Sequence, residues 1–163
     1  MMNIELEVKT SLAYQLMVAR KECGYAGEEE GGFLLESLHN EKDDSPMYLF
    51  VKVANKNKGL ALAVALYSAN EVEFGEKVLG YTTTGNWRIF ASFHTHPGTS
   101  VQPSRTDLTQ LFTSFGVNYI YSPMSGELAC YVLCPMADMV QAMDNQGRTL
   151  KGKVWVPVPA LTQ

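Results

Sequence analysis

The chain has 163 residues, of which 46 % are hydrophobic and 18 % charged, and its formal net charge is −4. Such a chain can bury its own core, so we predict a single domain over residues 1–163. The negative charge supplies no cationic face for nucleic acid, and the longest apolar run is far shorter than the roughly 18 residues of a transmembrane helix. The N-terminus does not resemble a signal peptide, so we expect a cytoplasmic protein that binds neither nucleic acid nor a membrane.

The first half of the chain predicts a helix, two strands and a second helix, in that order. Residues 9–23 place apolar side chains at helical spacing, and Gly24 provides a stop. The run "GFLLES" is typical of a short buried strand, while "PMYLFVKVAN" has the two-residue period of another, and the polar "LHNEKDDSP" connects them. Residues 55–67 show no clear pattern. The helical segment that follows has Ser68 as its predicted cap.

The second half predicts mainly strands. A strand "WRIFASFH" precedes a helix from Ser104 to Phe115, and the tight turn "PMSG" then joins the strands "VNYIYS" and "GELACYVL". The segment "GKVWVPVPA" predicts an edge strand, because proline cannot donate a hydrogen bond to a neighbouring strand. Helices and strands in this order indicate one α/β or α+β domain.

Three cysteines occur, an odd number without a C-x-x-C pair. This count argues against a disulfide framework and against a four-thiolate zinc site. Cys130 and Cys134 share one face of the predicted strand, and we predict that these two are small buried hydrophobic residues, while Cys23 is the third cysteine.

The segment "FHTHPGTSVQPSRTD", residues 93–107, contains two of the three histidines. Residues i and i+2 of a strand share a face, so His94 and His96 can direct their imidazoles at one ion. A lone His-x-His also occurs on exposed strands, and Ser104 with Asp107 is close to a helix capping box, which needs no metal. A site of two imidazoles and one carboxylate, with a fourth position open, accounts for the histidines as well and is typical of catalytic zinc.

The same segment resembles the JAMM metalloprotease family, also called MPN+ or JAB. The resemblance rests on "HTHP", on seven residues between His96 and Ser104, and on two between Ser104 and Asp107. The family pattern also includes an upstream glutamate in the context Glu-x-x-Gly-x-Leu, located between the first helix and the first strand. In "EEEGGFLLES" the spacing to the glycine and leucine selects Glu29.

Two features of this upstream segment depart from the family or leave a choice open. Many members have a cysteine before the glycine and another glycine after the strand, whereas this chain has Gly31 and Glu36. Register alone distinguishes Glu29 from Glu28 and Glu30, which flank it.

The resemblance implies a JAB/MPN-like, cytidine-deaminase-like fold with a mixed sheet flanked by helices. It implies Zn²⁺ held by His94, His96 and Asp107, a general base at Glu29 that takes a proton from water, and a hydroxyl at Ser104 that stabilises the oxyanion. The implied reaction is hydrolysis of peptide or isopeptide bonds at the C-terminus of ubiquitin or a ubiquitin-like protein. That protein, or its conjugates, would be the partner.

Three other functions fit the same residues. The site would also serve a zinc peptidase that acts on small peptides or cysteine conjugates. An MPN binding module without protease activity and a RadC-like protein are the others, although RadC-like relatives usually have asparagine where this chain has Thr95. The family's second substrate-binding insertion is reduced here to "SPMSGE", which predicts broad tolerance toward the leaving group. The sequence gives no signal for the oligomeric state.

Overall fold

The computed structural model of the chain describes residues 8–38, 46–112, 114–134 and 154–158. Its strands are β1 (Gly31–Ser37), β2 (Tyr48–Val53), β3 (Trp87–Thr95), β4 (Val117–Tyr121), β5 (Leu128–Cys134) and β6 (Val154–Val158). Its helices are α1 (Leu12–Glu22), α2 (residues 71–82) and α3 (residues 105–111), and a short 3-10 turn spans Ala61–Val64.

The six strands form one mixed sheet in the order β2-β1-β3-β4-β5-β6. Only β3 and β4 pair in parallel, and the other neighbours are antiparallel. This arrangement confirms the predicted α+β class with a mixed sheet flanked by helices. The single-domain extent over residues 1–163 stays a prediction.

Helix α1 packs against strands β1, β2 and β3 of the sheet. Ser11 caps it by accepting a hydrogen bond from the Tyr14 N–H, and two basic residues in its last turn favour the negative end of the helix dipole. The completely buried Leu16 and Ala19 pack in a cluster with sheet residues such as Phe93. The helix predicted over residues 9–23 is therefore confirmed.

Helix α2 contributes to a second apolar cluster and contains a π-helical segment, Phe74–Val78. The ring of Phe74 meets that of Phe33 on β1 edge to face, with centroids 5.1 Å apart. The prediction that Ser68 caps this helix is wrong. Asn70 caps it by accepting a 3.0 Å bond from the Glu73 N–H, because the helix begins at residue 71.

The segment without a clear pattern, residues 55–67, contains the 3-10 turn and no strand. Asn55 forms an isolated bridge to Ala69. At the sheet edge, β6 includes Pro157, which is compatible with an edge strand because one side of the strand needs no donor.

Cys23 and Cys130 are both buried without a disulfide, and for Cys130 this confirms the prediction of a core residue. The side chain of Cys134 and most of the connecting segment "LHNEKDDSP" lie outside the described residues. Within the described ranges, none of the helices has the length and apolarity needed to cross a membrane.

Candidate metal centre

The end of β3 and the beginning of α3 bring three polar side chains together. His94 is fully buried, and its Nε2 lies 3.3 Å from the Nε2 of His96. The Asp107 carboxylate spans both rings, with Oδ1 at 3.0 Å from the His94 Nε2 and Oδ2 at 3.0 Å from the His96 Nε2. Two imidazoles and one carboxylate thus face a common point.

The loop between His96 and α3 is fastened to the neighbouring strands. Hydroxyl groups from β5 and from the β4–β5 turn donate to three loop carbonyls: Ser122 to Gly98, Ser125 to Thr99, and Tyr131 to Val101. These bonds return the chain to the sheet, so that Asp107 arrives beside histidines that precede it by more than ten residues.

Ser104 and Asp107 form the capping box that their spacing predicts. The Asp107 N–H donates to the Ser104 Oγ at 3.0 Å, and the Ser104 N–H donates to the Asp107 Oδ2 at 2.9 Å. The same carboxylate contacts both histidines, so capping and metal ligation are compatible here. Because the Ser104 Oγ acts as an acceptor in the box, its O–H remains able to donate into the adjacent cleft.

Glu29 lies two residues before β1, whose first residue pairs with His94 on β3. The Glu29 side chain is buried, and its Oε1 is 4.0 Å from the His94 Nε2. Its neighbours point elsewhere, since the Glu28 carboxylate accepts from the Gly59 N–H and the Glu30 carboxylate pairs with Lys52. Among the described residues, the four that cluster within 4.8 Å are Glu29, His94, His96 and Asp107.

Gly31 departs from the family pattern for a steric reason. A Cβ at this position would lie 2.4 Å from the Phe93 carbonyl oxygen and 2.9 Å from the Tyr67 ring. The Tyr67 ring in turn is nearly parallel to that of His94, at 13° and 6.2 Å between centroids. A cysteine side chain would not fit here. The other departure, Glu36, is at the far end of β1, where Tyr48 and Arg88 bond to its carboxylate.

The pKa values of Glu29 and Asp107 are shifted in opposite directions. Burial raises the pKa of Glu29 to about 7, although the two histidines oppose this rise. Burial also acts to raise the pKa of Asp107, but the charge of His94 and bonds from both imidazoles hold that pKa well below its usual range. For His96, burial acts to lower the pKa, and the Asp107 carboxylate outweighs it and raises the pKa. One carboxyl is therefore able to exchange a proton near neutrality while the other stays ionised.

The raised pKa of Glu29 predicts a pH-dependent stability of the metal-free protein. Because the folded-state pKa of about 7 exceeds the ordinary 4.5, folding favours the protonated form. The stabilisation is complete below pH 4.5 and is lost as the pH rises through 7. Relative to Glu29→Gln, the wild-type free energy of unfolding should fall by about 3 kcal/mol across this window. Urea unfolding of both apoproteins between pH 4.5 and 8 measures the difference, and a constant difference would contradict the assignment.

The cluster fits a tetrahedral metal ion. Zinc ligands lie at about 2.0 to 2.2 Å, which places neighbouring ligand atoms about 3.3 Å apart, close to the 3.0 and 3.3 Å separations of the three side chains. The His96 Nδ1 is 3.0 Å from the Ser100 carbonyl oxygen, and since a carbonyl only accepts, Nδ1 carries a hydrogen and Nε2 is the ligating atom. The buried Glu29 Oε1 has no hydrogen-bond partner among the described residues.

An open cleft of about 420 Å³ leads to this cluster. Its lining combines Glu29, His96 and Ser104 with uncharged residues of the intervening loop, namely Pro97, Gly98, Thr99, Ser100, Gln102 and Pro103. The structure therefore brings all five sequence-predicted site residues to one place, with Glu29 and Ser104 both lining the cleft.

Sequence reasoning missed the residues that support Glu29. The Asn55 side chain donates to the Glu29 carbonyl, and Thr95 accepts from the next peptide N–H, that of Glu30. The Tyr67 N–H is close enough to the Glu29 carboxyl to act against the rise of its pKa. Asn55 and Tyr67 bound the segment that has no periodic pattern, so no local signal identifies them. The position of Thr95 between the two histidines was the one available signal.

Comparison with known protein families gives a match over most of the chain. The model of the family described as prokaryotic homologs of the JAB domain matches residues 12–146, a span that includes the complete cluster and every strand except β6. No curated protein matches the sequence.

Proposed function

The chain belongs to the family of prokaryotic homologs of the JAB domain, and from this premise we propose that it is a zinc metalloprotease. Its reaction would be hydrolysis of peptide or isopeptide bonds at the C-terminus of a ubiquitin-like protein. The observation that carries the proposal is the convergence of Glu29 with His94, His96 and Asp107 at the base of an open cleft.

His94, His96 and Asp107 would hold the zinc, which when bound polarises a carbonyl and lowers the pKa of water to about 7. Glu29 is the general base. It lies outside the three ligand atoms, at 4.0 Å from the His94 Nε2, and accepts a proton from the attacking water before passing it to the leaving amine. Burial suits this task, because in the metal-free protein it raises the pKa of Glu29 to about 7, toward the pH at which the proton is exchanged.

Ser104 is the residue we assign to the oxyanion. Its backbone is fixed by the capping box, and its Oγ already accepts from the Asp107 N–H. The hydroxyl hydrogen therefore points away from that bond. Since Ser104 lines the cleft, this hydrogen is available to a substrate there. A preorganised donor of this kind stabilises the negative charge that develops on the carbonyl oxygen.

The shape and chemistry of the cleft support a narrow, extended substrate. The loop contributes Gly98, Thr99 and Ser100, which are small and uncharged, and Glu29 is the charged carboxylate of the lining. A thin C-terminal tail fits such a cleft better than a folded surface does. The short β4–β5 turn, residues 122–127, leaves the leaving-group side with little dedicated surface, which supports tolerance toward the group that is released.

The test is cleavage of a ubiquitin-like protein fused through its C-terminus to a reporter, with metal content measured on the same sample. We expect about one zinc per chain, cleavage at the fusion junction, and loss of cleavage on chelation that returns with added zinc. Small peptides and cysteine conjugates form the parallel arm. If only the small peptides or cysteine conjugates are cleaved, they are the substrates and the ubiquitin-like substrate is wrong. If the protein has no stoichiometric metal and cleaves nothing, it is a binding module.

A further inference from the structure

Asn55 is a buried asparagine, 6 % exposed, whose side-chain amide is fully hydrogen-bonded. Its Nδ2 donates to the carbonyl of Glu29 at 3.0 Å and to the carbonyl of Leu66 at 2.8 Å. Its Oδ1 accepts from the N–H groups of Asn57 at 3.0 Å and Ser68 at 3.3 Å. Two donors and two acceptor sites are the full capacity of this side chain.

The orientation of the amide is determined by these partners. Both groups opposite Nδ2 are carbonyls, which only accept, and both groups opposite Oδ1 are N–H groups, which only donate. Exchanging the two atoms would oppose like partners at all four contacts. Neither aspartate nor a hydroxyl residue can reproduce this set, because neither offers two donors and two acceptor sites together.

Two of the four bonds lead to the Glu29 carboxylate by separate routes. The first holds the Glu29 backbone, whose own N–H also donates to the Ala63 carbonyl at 2.7 Å. The second holds the peptide group that joins Leu66 to Tyr67. The carbonyl of that group accepts from Asn55, and its N–H is close enough to the Glu29 carboxyl to act against the rise of its pKa. Asn55 therefore fixes both the backbone that carries the carboxylate and a peptide group that lies beside it.

We infer that Asn55 is a positioning residue that fixes the Glu29 carboxylate beside the histidine cluster. The inference rests on the proposed function in one respect, that Glu29 acts as the general base. Asn55 is not a metal ligand, because all four of its side-chain hydrogen bonds go to backbone groups. Its loss should therefore change the rate of the proton-transfer step and leave metal content and substrate binding unchanged.

The test variant is Asn55→Asp in the zinc-loaded protein. Aspartate keeps the acceptor contacts with Asn57 and Ser68 but places an oxygen against the Glu29 and Leu66 carbonyls. The control is Asn118→Asp, since Asn118 is also fully buried and donates to a backbone carbonyl, that of Phe115 at 2.8 Å. We expect Asn55→Asp to lower kcat by about 10- to 100-fold with KM and zinc content nearly unchanged. A displacement of a catalytic group by about 1 Å has an effect of this size.

A second measurement separates positioning from general destabilisation. In a Glu29→Gln background, Asn55→Asp should lower kcat no further, because the group through which Asn55 acts is already absent. Asn118→Asp should leave kcat within about twofold of wild type. If Asn55→Asp lowers kcat equally in both backgrounds, or the two aspartate variants have the same effect, the inference is wrong. If Asn55→Asp does not fold, Asn55→Ala against Asn118→Ala answers the same question.

Backbone hydrogen exchange of the metal-free protein provides the readout that does not depend on activity. We expect the Glu29 and Tyr67 amides to exchange faster in Asn55→Asp, and to keep their wild-type rates in Asn118→Asp. If wild type cleaves no substrate and this exchange pattern is found, the proposed function fails while the positioning by Asn55 stands. If wild type is active and these amides keep their rates in Asn55→Asp, the positioning by Asn55 fails while the function stands.

Discussion

Glu29→Gln is expected to lower kcat by about 10²- to 10⁴-fold while zinc stays bound, which is the range that a general base contributes. Glutamine keeps the size of the side chain and one carbonyl oxygen that can accept a hydrogen bond. It cannot accept a proton from water near neutral pH. Because the carboxylate is 4.0 Å from the His94 Nε2 and outside the ligand set, metal content measured on the purified variant should equal that of wild type.

Glu28→Gln and Glu30→Gln are the matched controls for this prediction. The Glu28 carboxylate bonds to the Gly59 N–H, and that of Glu30 to Lys52, a pair that is partly exposed and of small energetic value. Both variants should keep most of the wild-type kcat. Activity that survives in Glu29→Gln but is lost in either neighbour would move the base to that neighbour. Full activity in all three would remove the general base from this segment.

The strands were predictable from the sequence because each carries a local signal. Residues 31–37, 48–53 and 87–95 are either periodically or continuously apolar. The sequence of each run is therefore enough to predict a strand. The start of α2 was not predictable, because Ser68 and Asn70 are both good caps and tertiary contacts decide between them. The Ser68 N–H donates to Asn55, which keeps Ser68 outside the helix.

The metal cluster was predictable because three of its four members lie within fourteen residues. The strand period aligns His94 with His96, and the turn into α3 sets the distance to Asp107. The sequence posed capping and ligation as alternatives for Asp107, whereas the carboxylate forms the capping bond and also faces both imidazoles, so one residue is placed for both roles. A single carboxylate with several lone pairs can serve both roles, and sequence spacing alone cannot reveal that.

The supporting contacts were not predictable because they join segments far apart in the chain. Asn55 is 26 residues from Glu29, and its side chain bonds only to backbone groups. Because every residue has the same backbone groups, the sequence does not identify the partners of Asn55. The position of Gly31 has the same origin. Its lack of a side chain is explained by the Tyr67 ring and the Phe93 carbonyl, neither of which is near it in sequence.

Removal of a metal ligand should abolish both zinc binding and cleavage, and Asp107→Asn and His96→Ala are the sharpest variants. Asparagine at 107 can still accept the capping bond from the Ser104 N–H, so α3 should keep its start. It removes the negative charge that faces both imidazoles. His96 is preferred to the fully buried His94, whose truncation would also leave a cavity. We expect both variants to purify with little zinc and no detectable cleavage, as measured by metal analysis and the fusion assay.

The apoprotein and these variants should remain folded at room temperature, because the apolar clusters around Leu16, Phe33 and Phe112 are built without the metal-binding side chains. His39→Ala, at the remaining histidine, should keep its zinc. Acidification should mimic the ligand variants, because protons compete with zinc for the imidazoles. The raised pKa of His96 means that the apparent zinc affinity should begin to fall above the ordinary imidazole value of about 6.5. Zinc that stays bound in Asp107→Asn would exclude this carboxylate as a ligand, and an apoprotein that unfolds would show that the metal is structural.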